Sequence, residues 1–196
     1  GKKILVTRPK NRAGSLSGRL RALGADVLSY PCIETRPLFP NPELSAALAC
    51  MGGYGWLAFT SPAGVEALAK HLAENGLDVR ALGNPLIAAI GPGTGEALAK
   101  LGLRPDYMPP VYDVVHLARG LVERAEGRIL LLRAREASPA MEEVLEAAGL
   151  AYDDLPVYET LYTSPYAAEV AEMWNDIYRV VFTSASTVKG FVHSLG

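Results

Sequence analysis

The sequence is poor in the residues that hold metal ions and build disulfide frameworks. Among its 196 residues it has two cysteines and three histidines. Cys32 and Cys50 form no metal-ligand spacing, and the histidines at positions 71, 116 and 193 are scattered. This usage predicts neither a metal centre nor a disulfide scaffold, and it is typical of the reducing cytoplasm.

Strong charge and long apolar runs are also lacking. The net charge is -2 and the isoelectric point is near 6.0, which gives no argument for a nucleic-acid partner. No apolar run approaches membrane-spanning length, and no signal peptide is expected before the first strand. With 49% hydrophobic residues the chain can build a real core, as one large or two small domains.

The familiar catalytic motifs are missing as well: a P-loop, a nucleophile elbow or a metal triad. Gly91-Pro92-Gly93-Thr94-Gly95 comes nearest to a nucleotide or methyl-donor loop, but its spacing is not Gly-x-Gly-x-x-Gly, and Pro92 removes a backbone donor. A nucleotide- or methyl-donor-dependent enzyme that uses this loop is one alternative, and two further alternatives stay open. The segment is a tight strand-to-helix turn, or a turn whose Thr94 and nearby N–H groups meet an anionic ligand.

Short apolar strands alternate with amphipathic helices along most of the chain. Predicted strands lie near residues 3–8, 25–30, 56–60, 86–90, 128–133, 152–158 and 180–182. Predicted helices lie near residues 12–23, 43–51, 62–75, 95–101, 113–125, 138–148 and 166–174. This alternation predicts an α/β fold with parallel sheets.

Two distant segments share one pattern. Residues 56–65 and 180–188 each run from an apolar strand through Phe-Thr-Ser and small residues to a valine. Ser61 is typical of a helix N-cap, and Pro62 suits the first helical position. The N–H groups and dipole of such a helix start can hold a carboxylate or phosphate. The sequence therefore predicts two similar anion-binding turns.

A wider internal repeat appears when residues 4–35 are compared with residues 129–160, a shift of 125. Nine positions are identical: Ile4/Ile129, Leu5/Leu130, Arg8/Arg133, Leu20/Leu145, Ala22/Ala147, Gly24/Gly149, Pro31/Pro156, Glu34/Glu159 and Thr35/Thr160. Convergent α/β patterning explains the apolar matches, but the shared Pro-x-x-Glu-Thr favours duplication. We therefore expect two related α/β units.

Several side chains deserve separate expectations. Arg8 and Arg133 each follow the carboxyl end of a predicted strand, where ligands of α/β proteins bind. Tyr158 is either a half-buried packing residue or a proton donor facing a cleft. We expect Glu142 and Glu143 to lie on a solvated helix face instead of forming an acid/base pair, and His71 and His116 to be surface or interface residues.

Six short motifs follow one another along the chain, and their ordered combination is far more specific than any one of them alone. They are Val6-Thr7-Arg8-Pro9, Gly24-Ala25, Phe59-Thr60-Ser61-Pro62-Ala63-Gly64-Val65, Ile90-Gly91-x-x-Thr94, Val157-Tyr158-Glu159-Thr160 and Phe182-Thr183-Ser184-Ala185-Ser186-Thr187-Val188. This set resembles the uroporphyrinogen-III synthase family over almost the entire chain. Two departures are Val115, where a glutamate is common, and residues 185–187, which replace a proline-containing turn.

The resemblance implies two parallel-sheet, flavodoxin-like α/β domains joined by a two-stranded β-ladder. The first domain would be discontinuous, comprising residues 1–36 and 162–196, and the second would comprise residues 38–159. The linkers would lie near residues 33–38 and 158–162, and such thin connectors favour hinge motion. Family members continue past the second Phe-Thr-Ser helix, so the resemblance implies that the C-terminal part of the first domain is incomplete.

The resemblance also implies an activity. The family cyclises the linear tetrapyrrole hydroxymethylbilane to uroporphyrinogen III, losing water and inverting the terminal pyrrole ring. It is a cytoplasmic lyase of heme biosynthesis that uses neither metal nor organic cofactor. The expected partners are this substrate and, transiently, the preceding enzyme of the pathway; we expect a monomer. The alternative is a two-domain binding protein that closes on a small acidic ligand without chemistry, for which Tyr158 would be dispensable.

The resemblance places the family's functional tyrosine at Tyr158 as the catalytic residue. The substrate carries eight carboxylates, which helix starts can hold without a basic net charge. The expected substrate-binding residues would line a cleft between the domains: Arg8, Thr60, Ser61, Pro62, Ala63, Gly91, Thr94, Thr183, Ser184, Ala185 and Ser186.

Overall fold

The structure is a computed structural model that describes residues 1–9, 14–163 and 166–194. Residues 12 and 13 of the predicted first helix lie outside the described residues. The chain divides into two compact units, the first formed by residues 1–35 and 160–196 and the second by residues 36–159. Each unit contains parallel strands, so the predicted α/β class is confirmed.

The strands are β1 (Lys3–Val6), β2 (Asp26–Ser29), β3 (Ile33–Pro37), β4 (Tyr54–Phe59), β5 (Leu86–Ala89), β6 (Arg128–Ala134), β7 (Tyr152–Tyr162) and β8 (Ile177–Val181). The helices are α1 (Gly14–Ala22), α2 (Pro42–Ala49), α3 (Pro62–Glu74), α4 (Pro92–Ala99), α5 (Val114–Arg124), α6 (Ala140–Ala147), α7 (Ala167–Glu172) and α8 (Ala185–Ser194). Within the part of the chain that the structure describes, no helix has the length and apolar character needed to cross a membrane.

The first unit is built on a three-stranded parallel sheet with the order β2-β1-β8. The two faces of β1 are covered by different helices. Leu5 packs with Val170 of α7 and Phe191 of α8, whereas Val6 packs with Leu16 and Leu20 of α1. Because successive side chains of a strand point to opposite faces, one short apolar strand serves both layers.

The second unit contains most of a five-stranded sheet with the order β3-β7-β6-β4-β5; the first residues of β3 and the last residues of β7 are counted with the first unit. Its central strands are apolar on both faces. In β6, Leu130 and Leu132 pack toward α2, α3 and α4, whereas Ile129 and Leu131 pack toward α5 and α6. Burying each such side chain contributes roughly 2 kcal/mol, so this strand anchors the three layers of the unit.

The internal repeat of the sequence recurs in the strand pairing. Ile4 pairs with Val27 and with Arg179, and Ile129 pairs with Tyr152 and with Trp56. The β1–β2 register therefore equals the β6–β7 register after a shift of 125, and the β1–β8 register equals the β6–β4 register when β8 is compared with β4 at an offset of 123. The order β2-β1-β8 thus corresponds to β7-β6-β4, which supports duplication of one α/β unit.

Three expectations are corrected by the structure. Helix α4 begins at Pro92 instead of residue 95, because Pro92 occupies its first position and Gly91 caps it. His71 is not at a surface: it is 3% exposed, and its Nε2 lies 3.1 Å from the Ser45 Oγ. Glu142 is not merely solvated, because its carboxylate contacts the buried Arg133 at 2.5 Å.

Candidate functional site

The first part of the candidate site lies at the carboxyl edge of the second unit's sheet. Strands β4, β5 and β6 are parallel, so the turns that follow them lie at one edge. After β4 the chain passes through Thr60 into α3, where the Ser61 Oγ accepts a hydrogen bond from the Gly64 N–H at 3.2 Å. The predicted N-cap at Ser61 and the predicted place of Pro62 are both confirmed.

Helix α3 lies unusually close to the sheet at this end. A Cβ atom at Gly64 would lie 2.8 Å from the carbonyl oxygen of Leu132, so any larger residue would push the helix outward. Ala63 is 4% exposed and packs in the core, so its side chain is a packing group. The close approach fixes the position of the helix start relative to β6.

Tyr158 is held at the same edge by Ser61. The Ser61 hydroxyl donates a hydrogen bond to the Tyr158 hydroxyl oxygen at 2.8 Å. Tyr158 is 8% exposed and belongs to the same hydrophobic cluster as Val157 and Ala63. Since Ser61 is the donor, the hydrogen of the Tyr158 hydroxyl is not part of this bond.

An irregularity in β7 gives Tyr158 this orientation. The pairing with β6 jumps from Pro156 opposite Arg133 to Tyr158 opposite Ala134, so Val157 is an extra residue. In a regular strand Val157 and Tyr158 would point to opposite faces. The bulge lets both join one cluster, and bulges commonly re-aim side chains beside functional sites.

The start of α4 lies next to the start of α3. A Cβ at Gly93 would lie 3.7 Å from the Cγ atom of Pro62. The N–H groups of Thr94 and Gly95 both donate to the Gly91 carbonyl oxygen at 3.1 Å, so the turn itself occupies these donors. The Thr94 side chain is 1% exposed. These contacts agree with the tight-turn alternative for this segment.

Tyr112 is a site neighbour that the sequence reasoning did not list. A Cβ at Gly91 would lie 3.2 Å from the Tyr112 ring, so the ring lies directly over the cap of α4. Tyr112 is 60% exposed. The next residue, Asp113, caps α5 by accepting from the His116 N–H at 2.8 Å, and this bond holds the pKa of Asp113 below its usual value. The cap fixes the segment that carries the ring.

The first unit has an equivalent turn at its own carboxyl edge. The Thr7 hydroxyl, which is buried, donates to the Val181 carbonyl oxygen at 2.8 Å and so ties the end of β1 to the end of β8. The Ser184 Oγ then accepts from the Thr187 N–H at 3.3 Å, so the chain enters α8 through a capped helix start like the one at Ser61. The Thr187 Oγ1 in turn accepts from the N–H groups of Thr183 and Ser184, both at 3.3 Å.

The polar residues of this second turn are more exposed than those of the first. The Ser184 and Ser186 hydroxyl groups lie 2.9 Å apart. Thr183, Ser184 and Ala185 are exposed. Two helix starts of the same design therefore present hydroxyl groups and a partial positive charge, one in each unit.

The two repeat-related arginines differ in their surroundings. Arg133 is 1% exposed and bonds to Asp154 at 2.5 and 2.9 Å and to Glu142 at 2.5 Å. Although burial lowers the pKa of Arg133, its bonds to the two carboxylates outweigh that effect and raise it. Arg133 is thus a structural residue, held in the core by its two carboxylate partners.

Arg8 lacks this environment. After the shift of 125, the positions of Asp154 and Glu142 correspond to Ser29 and Ser17. Neither serine offers a carboxylate, and Arg8 is only partly buried beside the carboxyl end of β1. The duplication has left one arginine as a core ion pair and the other at the edge where ligands of α/β units bind.

The described residues contain no cluster of side chains that could hold a metal ion. Across residues 1–9, 14–163 and 166–194, no three His, Cys, Asp or Glu side chains group as they would around a metal ion. Both cysteines are free thiols, and burial raises the pKa of Cys32 to about 12. Cys32 therefore stays protonated and unreactive at neutral pH.

These features define a class: a duplicated parallel α/β protein whose polar groups converge at the carboxyl edge of each unit. Comparison with known proteins narrows the class. The family model for uroporphyrinogen-III synthase HemD matches residues 14–196. The chain belongs to the uroporphyrinogen-III synthase family.

Relatives and solved structures agree with this membership. The porphyrin biosynthesis protein HemD of Ruminiclostridium josui is 38% identical over the full chain, which spans 40% of that protein's length. The uroporphyrinogen-III synthase of Synechococcus elongatus is 30% identical over 97% of this chain and 74% of its own. A crystal structure of a mutant uroporphyrinogen III synthase from Thermus thermophilus has a TM-score of 0.68 at 20% identity. It matches 99% of this chain and 77% of that one, and so shows the same fold.

Proposed function

We propose that the protein is a lyase that cyclises hydroxymethylbilane to uroporphyrinogen III, with loss of water and inversion of the terminal pyrrole ring. The observation that carries the proposal is the hydrogen bond from Ser61 to Tyr158 at the carboxyl edge of the second unit. It holds a phenol group in a defined direction at an edge where ligands of α/β folds bind. Family membership supplies the substrate class.

The proposed chemical role of Tyr158 is to assist the loss of hydroxide. When the carbon–oxygen bond of the hydroxymethyl group breaks, the leaving oxygen needs a proton to depart as water. The Tyr158 hydroxyl would donate this proton or orient the water that does. Ser61, as donor to the phenol oxygen, would stabilise the negative charge that develops there.

The proposed role of the helix starts is to hold the substrate. The starts of α3 and α8 each combine serine hydroxyl groups with the partial positive charge of a helix start, which suits carboxylate side chains. Arg8 adds a guanidinium group at the edge of the first unit. Each unit would bind part of the substrate, so that its two ends are brought into a reactive orientation.

Side chains and helix dipoles can supply every role in this scheme, so the proposal includes no cofactor. The proposed location is the cytoplasm, supported by the two free thiols. The protein is proposed to act as a monomer and to receive its unstable substrate through transient contact with the preceding enzyme of the pathway.

A coupled assay tests the proposal. Hydroxymethylbilane is generated in situ, the protein is added, and the products are oxidised and separated as porphyrin isomers. Predominance of the type III isomer is the expected result. If the folded protein leaves only the type I isomer that forms spontaneously, the lyase assignment is wrong and binding of an acidic ligand without chemistry takes its place.

A further inference from the structure

A second polar cluster lies one residue beyond Tyr158. Glu159 accepts hydrogen bonds from two arginines, one on each of its carboxylate oxygens. Its Oε1 accepts from the Nε of Arg36 at 2.8 Å and also from the Nη2 of that residue. Its Oε2 accepts from the Nη1 of Arg135 at 2.8 Å. We call these three residues the Glu159 cluster.

The sheet topology brings the cluster together. Arg36 belongs to β3, Glu159 to β7, and Arg135 directly follows β6; these strands are neighbours in the order β3-β7-β6. The backbone N–H of Arg135 also donates to the Tyr158 carbonyl oxygen at 2.8 Å. The cluster is therefore tied to the same strand segment that carries the proposed catalytic tyrosine.

The charge balance of the Glu159 cluster is opposite to that of the buried cluster around Arg133. Arg133 is one cation between two carboxylates, and it is 1% exposed. The Glu159 cluster has one carboxylate between two cations, which leaves one net positive charge. One guanidinium group is enough to neutralise Glu159. The second leaves an uncompensated positive charge, which indicates a site that can bind an anion.

Exposure agrees with this interpretation. The Glu159 side chain is 12% exposed, whereas those of Arg36 and Arg135 are 61% and 54% exposed. Each guanidinium carries five N–H donors, and the contacts with Glu159 use only some of them. The carboxylate thus holds the two arginines in place while their other donors remain accessible to a ligand.

A cavity beside the cluster provides the space. It has a volume of about 480 Å³ and is lined by Arg36, Pro37, Leu38, Phe39, Pro40, Arg135 and Glu159. The two guanidinium groups supply a positive wall, and the accessible lining of the cavity is mostly polar. A carboxylate group matches this positively charged, polar cavity.

We infer that the Glu159 cluster binds a carboxylate side chain of the substrate, with Arg36 and Arg135 as its ligands and Glu159 as their positioning residue. This inference rests on the proposed function for the identity of the substrate, an octacarboxylate. It assigns two further substrate-binding residues to the second unit. Neither arginine would take part in the chemical step, so the site acts on substrate affinity.

The test is the double variant R36Q/R135Q in the coupled assay. The matched control is R80Q/R104Q, which removes two exposed arginines from the same unit away from the cavity. Losing a charge-assisted contact predicts a KM roughly tenfold higher for R36Q/R135Q, with kcat changed less than about twofold. A KM equal to that of the control variant would overturn the inference while leaving the lyase function intact.

A binding measurement separates the site from the reaction. Calorimetric titration with mellitate, a stable benzene hexacarboxylate, needs no turnover. We expect R36Q/R135Q to bind mellitate roughly tenfold more weakly than R80Q/R104Q, and R36K/R135K to fall between them because lysine keeps the charge but loses the planar fork. Equal affinities would overturn the site even if the type III isomer forms. If no type III isomer forms, a selective loss of mellitate binding would still support a carboxylate site.

Discussion

Ser61 donates a hydrogen bond to the hydroxyl oxygen of Tyr158 at 2.8 Å, although 97 residues separate them in the chain. The same Ser61 oxygen accepts from the Gly64 N–H and caps α3. One hydroxyl group thus couples the start of a helix to the direction of the proposed catalytic phenol. Its loss is expected to affect both stability and rate.

Replacement of Tyr158 by Phe tests the phenol group itself. The ring keeps its place in the hydrophobic cluster, so the fold is expected to persist. Loss of a general acid lowers rates by roughly 10² or more. We expect kcat for type III formation to fall about 100-fold with little change in KM. Comparable turnover by Tyr158→Phe would remove the proton-donor role.

Tyr54→Phe is the matched control for that variant. Tyr54 lies at the other end of β4, where its hydroxyl donates to Asp153 at 2.7 Å. Burial and this bond raise the pKa of Tyr54 to about 12, so it is a firmly protonated phenol. Its removal is expected to leave kcat unchanged, whereas an equal loss in both variants would indicate a general effect of losing a hydroxyl group.

Substitution of Ser61 separates capping from catalysis. Ser61→Ala removes both hydrogen bonds, and losing an N-cap of this type costs about 1 kcal/mol of unfolding free energy. Ser61→Gly removes the same hydroxyl, but glycine is tolerated at an N-cap with a loss of only about a few tenths of 1 kcal/mol.

Both Ser61 variants are expected to lose kcat to a similar extent, because both leave the Tyr158 oxygen without its Ser61 donor. Urea unfolding followed by circular dichroism gives the stabilities, and the coupled assay gives the rates. If kcat instead follows stability, so that Ser61→Gly is nearly as active as the wild type, Ser61 acts only as a cap.

Much of the fold could be predicted because local residue patterns mark its strands and helix starts, and because one of these patterns occurs twice in the chain. Ser61-Pro62 indicates a helix start by residue type alone, and the apolar strands alternate with helical segments of regular length. The shift of 125 predicted the correspondence between β1–α1–β2 and β6–α6–β7, which the strand registers bear out.

The details that were missed depend on partners distant in the chain. The orientation of Tyr158 rests on a bulge, and a bulge is set by the register with β6, which no local pattern encodes. The burial of Arg133 rests on Glu142 and Asp154. The repeat did contain a usable signal, since the corresponding positions near Arg8 are serines.

Substitution of Arg133 is expected to lower stability, whereas substitution of its repeat counterpart Arg8 is expected to weaken substrate binding. Arg133→Gln leaves Asp154 and Glu142 without their buried cation, and breaking such a pair costs about 3 kcal/mol or more. Arg8→Gln removes a guanidinium at the ligand edge and is expected to raise KM several-fold with little loss of stability. Unfolding free energies and KM values measured on both variants check this contrast. A strong loss of stability in Arg8→Gln would contradict the division of roles.

His71 predicts a pH dependence of stability. It lies on α3 with its ring against Ser45 of α2, it is 3% exposed, and its Nδ1 atom has no hydrogen-bond partner among the described residues. The groups that the structure places against its ring are Ser45 and Phe39, which carry no charge. Burial therefore lowers the pKa of His71, so the folded protein holds this ring neutral.

Stability is expected to fall as the pH falls, because the unfolded chain binds a proton at His71 more tightly than the folded protein does. Because the pKa of His71 is lower in the folded state than in the unfolded chain, the unfolded chain binds more protons as the pH falls below about 6.5. The contribution of neutral His71 to the unfolding free energy is complete above that pH and is lost as the pH falls towards the folded-state pKa.

His71→Gln keeps an amide near the Ser45 hydroxyl but cannot titrate. Urea unfolding of both proteins at pH 7.5, 6.5 and 5.5 measures the difference. We expect the unfolding free energy of the wild type to fall more steeply than that of His71→Gln over this range. The variant should therefore gain stability relative to the wild type as the pH falls. Parallel curves would show that His71 is charged to the same extent in both states, which would require water or a polar partner at its buried Nδ1 atom.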